Sequence, residues 1–512
     1  VADKGERKEQ GAMHDPSLQK SSQTRIWTIE DRAGPANKPT YQGRARAGAL
    51  AWPQGDITPV RAPSPDEYEK FETVDTLLGQ QGLPSLTTEF RLTRDISDVL
   101  RLIRKRCPID LQVHAGACKE PSNFNQGFEK VYVLENARAT DYGVSDLGAL
   151  SDDQEAIVNQ TVPWTGDNWY EIARLIPAEL GETEIVQEII ALVICDSASC
   201  GACGIPSDGC QKVYAVTLSH GGSPGLPAEV IFSPDGGLTL GDTNITTLGL
   251  KDPSDAACVG VNLVVISNED VALHYASLAD ILNGTEVWTR MVTGFVAGGP
   301  PNAIWSLSSI MTWIVGDNGY IYFSDDPTAL VTVQDPGVSG TTEDLQDVHF
   351  VDELNGVAVG GNNAVVVTTN GGDTWSGITG PAPAIDLNCI WMQTKLVWFI
   401  GTAGGDLYYT IDGGENWVLK AFPGSGAGEV REIAFGTPSV GYMAHDTAAP
   451  AGRILRSIDG GYSWQVLPEA AGTMPANDRI NALAACPEDP NVVWGGGLAD
   501  DAVDGILVKA SA

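Results

Sequence analysis

The stretch CDSASCGACGIPSDGC brings four thiols close together, Cys195, Cys200, Cys203 and Cys210. Thiolates at such spacings can hold zinc, close as disulfides, or, through the four-then-two spacing of the first three, begin a plant-type iron–sulfur loop. That loop needs a distant fourth cysteine and a surrounding fold of its own. Two local disulfides are therefore the expected state, with free or mixed thiols and a structural metal as the alternatives. Spacing does not fix the pairing, and no cofactor is expected. Cys258 in AACVGV, Cys389 in LNCIWM and Cys486 in NALAAC recur on apolar segments and read as small buried hydrophobes. Cys107 and Cys118 flank a short strand. His14, His114, His220, His274, His349 and His445 show no paired spacing of the zinc-protease kind, and neither a serine elbow nor a phosphate loop is present. Carboxylates abound without a recognisable acid and base, and read as solvated groups. No catalytic residue is assigned, and the chain is expected not to be an enzyme.

A second pattern joins a hydroxyl, an acid or amide, glycines and a tryptophan: TTNGGDTW at Thr368–Trp375, TIDGGENW at Thr410–Trp417 and SIDGGYSW at Ser457–Trp464. A hydroxyl two residues before a carboxylate can bond the backbone of a tight turn, glycine permits positive φ, and tryptophan packs between layers. This is the chemistry of a turn. The assigned turn residues are Ser233, Asp235 and Gly237; Thr368, Asn370, Gly372 and Trp375; Thr410, Asp412, Gly414 and Trp417; and Ser457, Asp459, Gly461 and Trp464. Weaker copies are SPDGGLTL from Ser233, SDDPTALV from Ser324 and the Trp288 segment NGTEVWTRMV. The aligned positions 240, 288, 331, 375, 417 and 464 step by 48, 43, 44, 42 and 47 residues, the spacing of four-stranded propeller blades. INALAAC, NVVWGGG and GILVKAS supply three strands of a seventh blade. DNWYEIARLI, Asp167–Ile176, has the Trp-led form of an outer strand and is expected to complete it, joining the ends of the ring and removing open strand edges.

These repeats resemble the Asp-box (BNR-like) repeats of sialidases and of propellers similar to the photosystem II assembly factors of cyanobacteria and chloroplasts. The resemblance covers residues 165 to 512 and implies a propeller blade without implying an activity. Sialidases bind their substrate's carboxylate with three arginines. After residue 161 only Arg174, Arg290, Arg431, Arg453, Arg456 and Arg479 remain, and Arg453 and Arg456 sit beside a structural turn. Glycosidase activity is the least favoured reading.

Residues 1–160 share none of the repeat. A polar segment, VADKGERKEQGAMHDPSLQKSSQ, is expected to form an extended arm over residues 1–20 that lies on a partner. RIWTIED, SLTTEFRLTR, IDLQVHAGA, EKVYVLENARATDYGV and AIVNQTVPW then read as strands of a small β-sandwich or barrel over residues 21–160. Its one substantial helix is expected in DISDVLRLIRKRCP, with Val99, Leu100, Ile103 and Cys107 on one face, Asp95 at the start and Pro108 after the end. The basic set Arg101, Arg104, Lys105 and Arg106 would lie at subunit contacts or form a solvated face. The whole is all-β: this domain, then a seven-bladed propeller over residues 161–512.

The formal charge is −35, and residues 161–512 hold 11 Lys and Arg against 42 Asp and Glu. Such a field repels phosphate backbones and anionic membranes, so nucleic-acid binding by the propeller is excluded. No apolar run reaches the roughly 18 residues that cross a bilayer, so membrane insertion is not expected. A sandwich with a flanking helix, long loops and a terminal arm is similar to the tail tube proteins of tailed bacteriophages. That similarity implies a virion structural protein that self-assembles into rings or a tube through residues 1–160, contacts other virion proteins, and displays the acidic propeller outward for weak, multivalent contact with host glycans. The alternative is an exported or periplasmic propeller that binds or assembles other proteins without catalysis.

Overall fold

A computed structural model describes residues 25–30, 40–47, 57–63, 71–78, 85–91, 109–115, 130–139, 143–146, 159–173, 183–185, 187–195, 210, 212–218, 227–235, 239–249, 251–292, 294–326, 328, 330–336, 341–381, 384–447, 452–467, 479–498 and 505–510. The arm over residues 1–20, the helix expected near residue 100, Gly237, Cys107, Cys118, Cys200 and Cys203 lie outside them. Two compact units divide between Glu171 and Ile172.

The first unit is built on one eight-stranded sheet. Its strands run in the order Asn168–Ala173, Lys130–Ala139, Ile109–Ala115, Arg25–Glu30, Thr40–Ala47, Ser85–Arg91, Asn159–Thr165 and Gly143–Asp146. A further pairing, Arg138 with Thr165 and Ala139 with Trp164, closes six of these strands on themselves. Of the sandwich and barrel alternatives, the pairing realises the barrel. Leu86, Ile109, Leu111, Val113, Leu134, Ala137, Val162 and Trp164 form its core, with Ile109, Leu111 and Val113 alternating along one strand as the two-residue period requires.

The second unit contains seven four-stranded antiparallel sheets, six of them meanders and the last combining three consecutive strands with one from earlier in the chain. Their first strands are Ile189–Ile194, Asp255–Val259, Pro301–Ser308, Leu345–Phe350, Leu387–Met392, Val430–Phe435 and Arg479–Ala485. Each touches the first strand of the next sheet, and the last touches the first, so the cycle closes. Second strands such as VYAVT, GVAVG and WFIGT are buried along their whole length because a neighbouring sheet covers each face. They therefore read as unbroken runs of apolar and small residues, whereas the outer strands Ser376–Thr379 and Val418–Lys420 are largely exposed. The short helix Leu278–Asn283 interrupts the second sheet between its third and outer strands, with Ile281 buried.

One element lies elsewhere than expected. Asn168–Ala173 belongs to the first unit, where Asp167 N–H donates to Glu135 O at 3.0 Å, Tyr170 OH donates to Glu135 Oε1 at 3.1 Å and Trp169 packs 5.9 Å from Tyr132. The outer strand that completes the seventh sheet is Thr183–Ile185, paired with Leu507, Ile506 and Gly505. The ring is thus closed by an N-terminal outer strand, later in the chain than DNWYEIARLI. A tryptophan-led strand reads alike in either place, and Trp169 has its apolar partners in the first core.

Candidate functional site at the centre of the ring

In six of the seven sheets the first strand carries a bulge at one position, occupied by Ile190, Asn302, Gln346, Asn388, Arg431 and Asn481. A bulge frees its residue from the ladder, and three of these asparagines use that freedom alike. Asn302 Nδ2 donates to Leu345 O at 3.0 Å, Asn388 Nδ2 to Val430 O at 3.2 Å, and Asn481 Nδ2 to Ile189 O at 3.1 Å. Each bond ties one sheet to the next, and the last ties the seventh to the first.

At the register position after the bulge, and at the start of the first strand in the second sheet, which has none, stand Ala191, Asp255, Ala303, Asp347, Cys389, Glu432 and Ala482, an acid in every second sheet from the second to the sixth. Asp255 accepts Ala256 N–H at 2.8 Å and Ile304 N–H of the third sheet at 2.9 Å. Asp347 accepts Val348 N–H at 2.7 Å and Ile390 N–H of the fifth sheet at 2.7 Å. Two residues further on, Trp305, His349 and Trp391 of successive sheets pack against one another at tilted and edge-on angles. His349 lies 4.0 Å from the Trp305 ring and 4.4 Å from Trp391, which itself lies 5.9 Å from Phe435. Both layers border a cavity of about 230 Å³ lined by the first strands of all seven sheets, with no lysine or arginine among its lining residues.

The electrostatics follow from this enclosure. Burial pushes Asp255 up to about 7 against the pull of its two N–H donors. Burial, and then the neighbouring Asp255 charge, raises Asp347. Glu432 is pushed well above the carboxylate range by burial and by Asp347 and Asp255. His349, only 4 % exposed, is pulled down to about 3 by burial and is neutral at ordinary pH. Its Nδ1 accepts Met392 N–H at 3.4 Å, which leaves the proton on Nε2, an atom without a hydrogen-bond partner among the described residues. Trp305 Nε1 is likewise a buried donor without a partner.

A stability effect with a definite sign results. A carboxyl whose native pKa is raised contributes most below its unfolded value of 3.8, and that contribution is lost as pH rises through the native value. His349, His274 and His445 are all lowered from 6.5 and act in the opposite direction below that pH. From pH 6.5, where the unfolded histidines are half deprotonated, their contribution fades while the raised carboxyls go on titrating, so stability is expected to fall with pH, most clearly between about pH 7.5 and 8. Urea midpoints across this window measure the slope, and Glu432→Gln should make it shallower.

The turn residues assigned from sequence, Gly237 aside, lie at one corner of their sheets, between the third and outer strands, apart from the cavity. Ser457 Oγ donates to Asp459 Oδ1 at 2.7 Å and accepts Gly461 N–H at 2.8 Å, while Asp459 accepts the N–H and hydroxyl of Ser463 at 2.8 and 2.6 Å. Thr410, Asp412, Gly414 and Asn416 repeat this at 2.7, 3.0, 2.9 and 2.8 Å. Thr368, Asn370, Gly372 and Thr374 do so with an amide in place of the acid. Ser233 and Asp235 form the same contact at 3.1 Å, with Thr239 as the donor. Gly372, Gly414 and Gly461 have φ of 92°, 87° and 83°, which a side chain would strain. Trp375 packs against Phe350, and Trp464 against Phe435. Trp417 lies 6.2 Å from Trp398 and donates from Nε1 to Thr379 O of the fourth sheet at 3.0 Å.

The cysteine expectation needs correction. Cys195 pairs with Cys258 and Cys210 with Cys486, so neither bridge is local. The first joins the first sheet to the second, and the other joins the first to the seventh. Cys258 and Cys486, read as quiet hydrophobes, are the partners. Cys389 is buried and free. Among the described residues no group of three His, Cys, Asp or Glu is arranged to hold a metal ion. The acids, His349 and the tryptophans of the cavity were missed as a group. The signal available was their recurrence on the first strand of successive repeats.

A family model described as photosynthesis system II assembly factor YCF48 matches residues 328–484, from the end of the third sheet into the seventh. The photosystem II assembly lipoprotein Ycf48 of Synechococcus sp. (strain CC9902) is 29 % identical over 132 residues, which is 25 % of this chain and 38 % of that protein. The chain thus spans well under half the length of this curated relative. Among solved structures, YCF48 from Cyanidioschyzon merolae shows a TM-score of 0.47 at 15 % identity, over 66 % of this chain and 99 % of that one. YCF48 bound to D1 peptide shows 0.48 at 15 % identity over the same shares. The C-terminal unit is a BNR-like β-propeller, as its turns and its family match agree. The family match corrects the reading of the chain as a tail tube subunit: the matched family and the curated relative are assembly factors. Self-assembly through residues 1–160, virion partners, host glycans and a virion location are given up with it.

Proposed function

We propose that this chain is a non-enzymatic assembly factor whose propeller holds a segment of another protein while that protein is built into a complex, in an oxidising compartment outside the cytoplasm. The observation that carries this reading is the match of residues 328–484 to an assembly-factor family. Two disulfides between sheets support the compartment, since reducing cytoplasm rarely keeps such bridges. The lipoprotein nature of the curated relative supports export.

A surface for such a segment is offered where the first and second strands of each sheet turn. Four consecutive sheets place an exposed aliphatic residue there: Val261, Ile310, Leu354 and Leu396. Asp-box turns support this corner from behind, with Gly371 N–H donating to Leu354 O at 2.9 Å and Gly413 N–H to Leu396 O at 3.0 Å. A row of apolar side chains suits a partner that is still unfolded and extended.

The D1 peptide bound by one solved relative is the first partner to test. Biolayer interferometry of the full chain against an immobilised D1 peptide should show saturable binding. Ile310→Asp with Leu354→Asp should weaken it at least about tenfold, since burial of one aliphatic side chain contributes roughly 1.5–3 kcal/mol. Absence of saturable binding would remove the D1 assignment. Binding unchanged in the double variant would remove the hairpin row as its surface.

A further inference from the structure

We infer that the central cavity binds an organic ammonium ion, held by Asp255, Asp347 and Glu432 beside the rings of Trp305 and Trp391. This inference is independent of the assembly role and concerns a different part of the propeller. Three carboxyl groups meet around one cavity without a lysine or arginine among its lining residues. All three are half-buried with no cationic side chain among the lining residues, which pushes their carboxyl pKa values up, and a cation entering the cavity would offset the cost of ionising them.

Several features favour an organic cation over a metal ion. The three acids stand on alternate sheets, and the described residues form no metal-holding group. Asp255 and Asp347 already spend oxygens on backbone N–H groups of their own and the next sheet. Trp305 and Trp391 present aromatic surface, which attracts an ammonium and packs against its alkyl groups. At about 230 Å³ the cavity is several times the volume of one water and accommodates a small amine or the first residue of a peptide.

An independent observation points to a ligand. His349 is 4 % exposed, its Nε2–H has no partner among the described residues, and it lines this cavity, as does Trp305 with its own orphan Nε1–H. Buried donors are nearly always satisfied. An acceptor oxygen next to the ammonium, as in an α-amino group followed by a carbonyl, would satisfy them. The ligand class is therefore a protonated amine with a neighbouring acceptor, either a free small amine or the amino terminus of a peptide.

Isothermal titration of the full chain tests this with n-butylammonium, with trialanine, and with N-acetylated trialanine, against sodium chloride at equal ionic strength. The titratable groups facing the ligand are Asp255, Asp347, Glu432, His349 and the nearby Cys389 thiol, which burial holds protonated. Because the cation lowers the three carboxyl pKa values, binding should release protons, seen as a heat that differs between two buffers of unlike ionisation enthalpy. It should tighten as pH rises from 6 to about 7, below the range in which a peptide amino terminus loses its own proton. Glu432→Gln, which keeps the shape and removes the charge, should weaken binding about tenfold, as should Trp391→Leu. Binding of trialanine but not its acetylated form assigns a peptide terminus, and binding of n-butylammonium alone assigns a free amine. The inference is overturned if no amine gives a signal above the sodium control, if binding occurs without proton release, or if Glu432→Gln with unchanged melting binds as the parent does.

Discussion

Replacing Cys210 and Cys486 together by serine is expected to lower the stability of the propeller by about 4–5 kcal/mol, the upper end of what one disulfide contributes. The bridge spans 276 residues of sequence and joins the first sheet to the seventh. In the chain-entropy account, a crosslink over so long a loop removes more freedom from the unfolded chain than a short one does. Native domains are stable by only about 5–15 kcal/mol, so the loss takes roughly a quarter or more of the total. The Cys195–Cys258 bridge closes 63 residues, and its removal should cost somewhat less. Both pairs hold the first sheet. Without them its ties include the Asn481 bond to Ile189 O, with the seventh sheet completed by the three-residue pairing of Thr183–Ile185. Urea unfolding of the double variant beside the parent measures the effect. A midpoint shift equal to that of a single buried Cys→Ser exchange elsewhere, for which Cys389→Ser is the control, would show that the crosslink contributes nothing of its own.

Trp464→Ala is expected to destabilise by about 3–5 kcal/mol, the range for truncating a buried aromatic side chain. Its ring is 4 % exposed and meets Phe435 edge-on at 5.8 Å. It shares one apolar cluster with Phe399 and Leu407 of the fifth sheet and Met443 and Leu455 of the sixth. The removed volume therefore lies between two sheets that are each fixed by their own ladders, so the gap cannot close easily. Trp417, only partly buried at the equivalent position, should cost less on truncation despite losing its bond to Thr379 O. Chemical denaturation of both variants checks the order. Equal losses would mean that the tryptophans act through the turn and not through the packing between sheets.

The repeat was legible because its turn chemistry is local. Ser457, Asp459, Gly461 and Ser463 find one another within seven residues, so the sequence pattern and the hydrogen bonds are nearly the same object. DNWYEIARLI shows the limit of such reading. Trp169 marks a strand correctly, but which sheet it joins depends on whether Tyr132 and Glu135 or the last strand of the chain lies beside it.

By itself the sequence determined the class of fold, the spacing of its repeats and the residues of its turns, because those rest on contacts a few residues long. Tertiary structure alone decided the disulfide partners and the central cavity. Cys210 meets Cys486 only after the ring has brought its ends together. Asp255, Asp347 and Glu432 are separated by 92 and 85 residues, each unremarkable in its own strand, and line one cavity only when their strands stand around a common axis. Their chemistry is that of enclosure: the same carboxyls in an open strand would be ionised and solvated, and only burial together makes them hold protons and call for a cation.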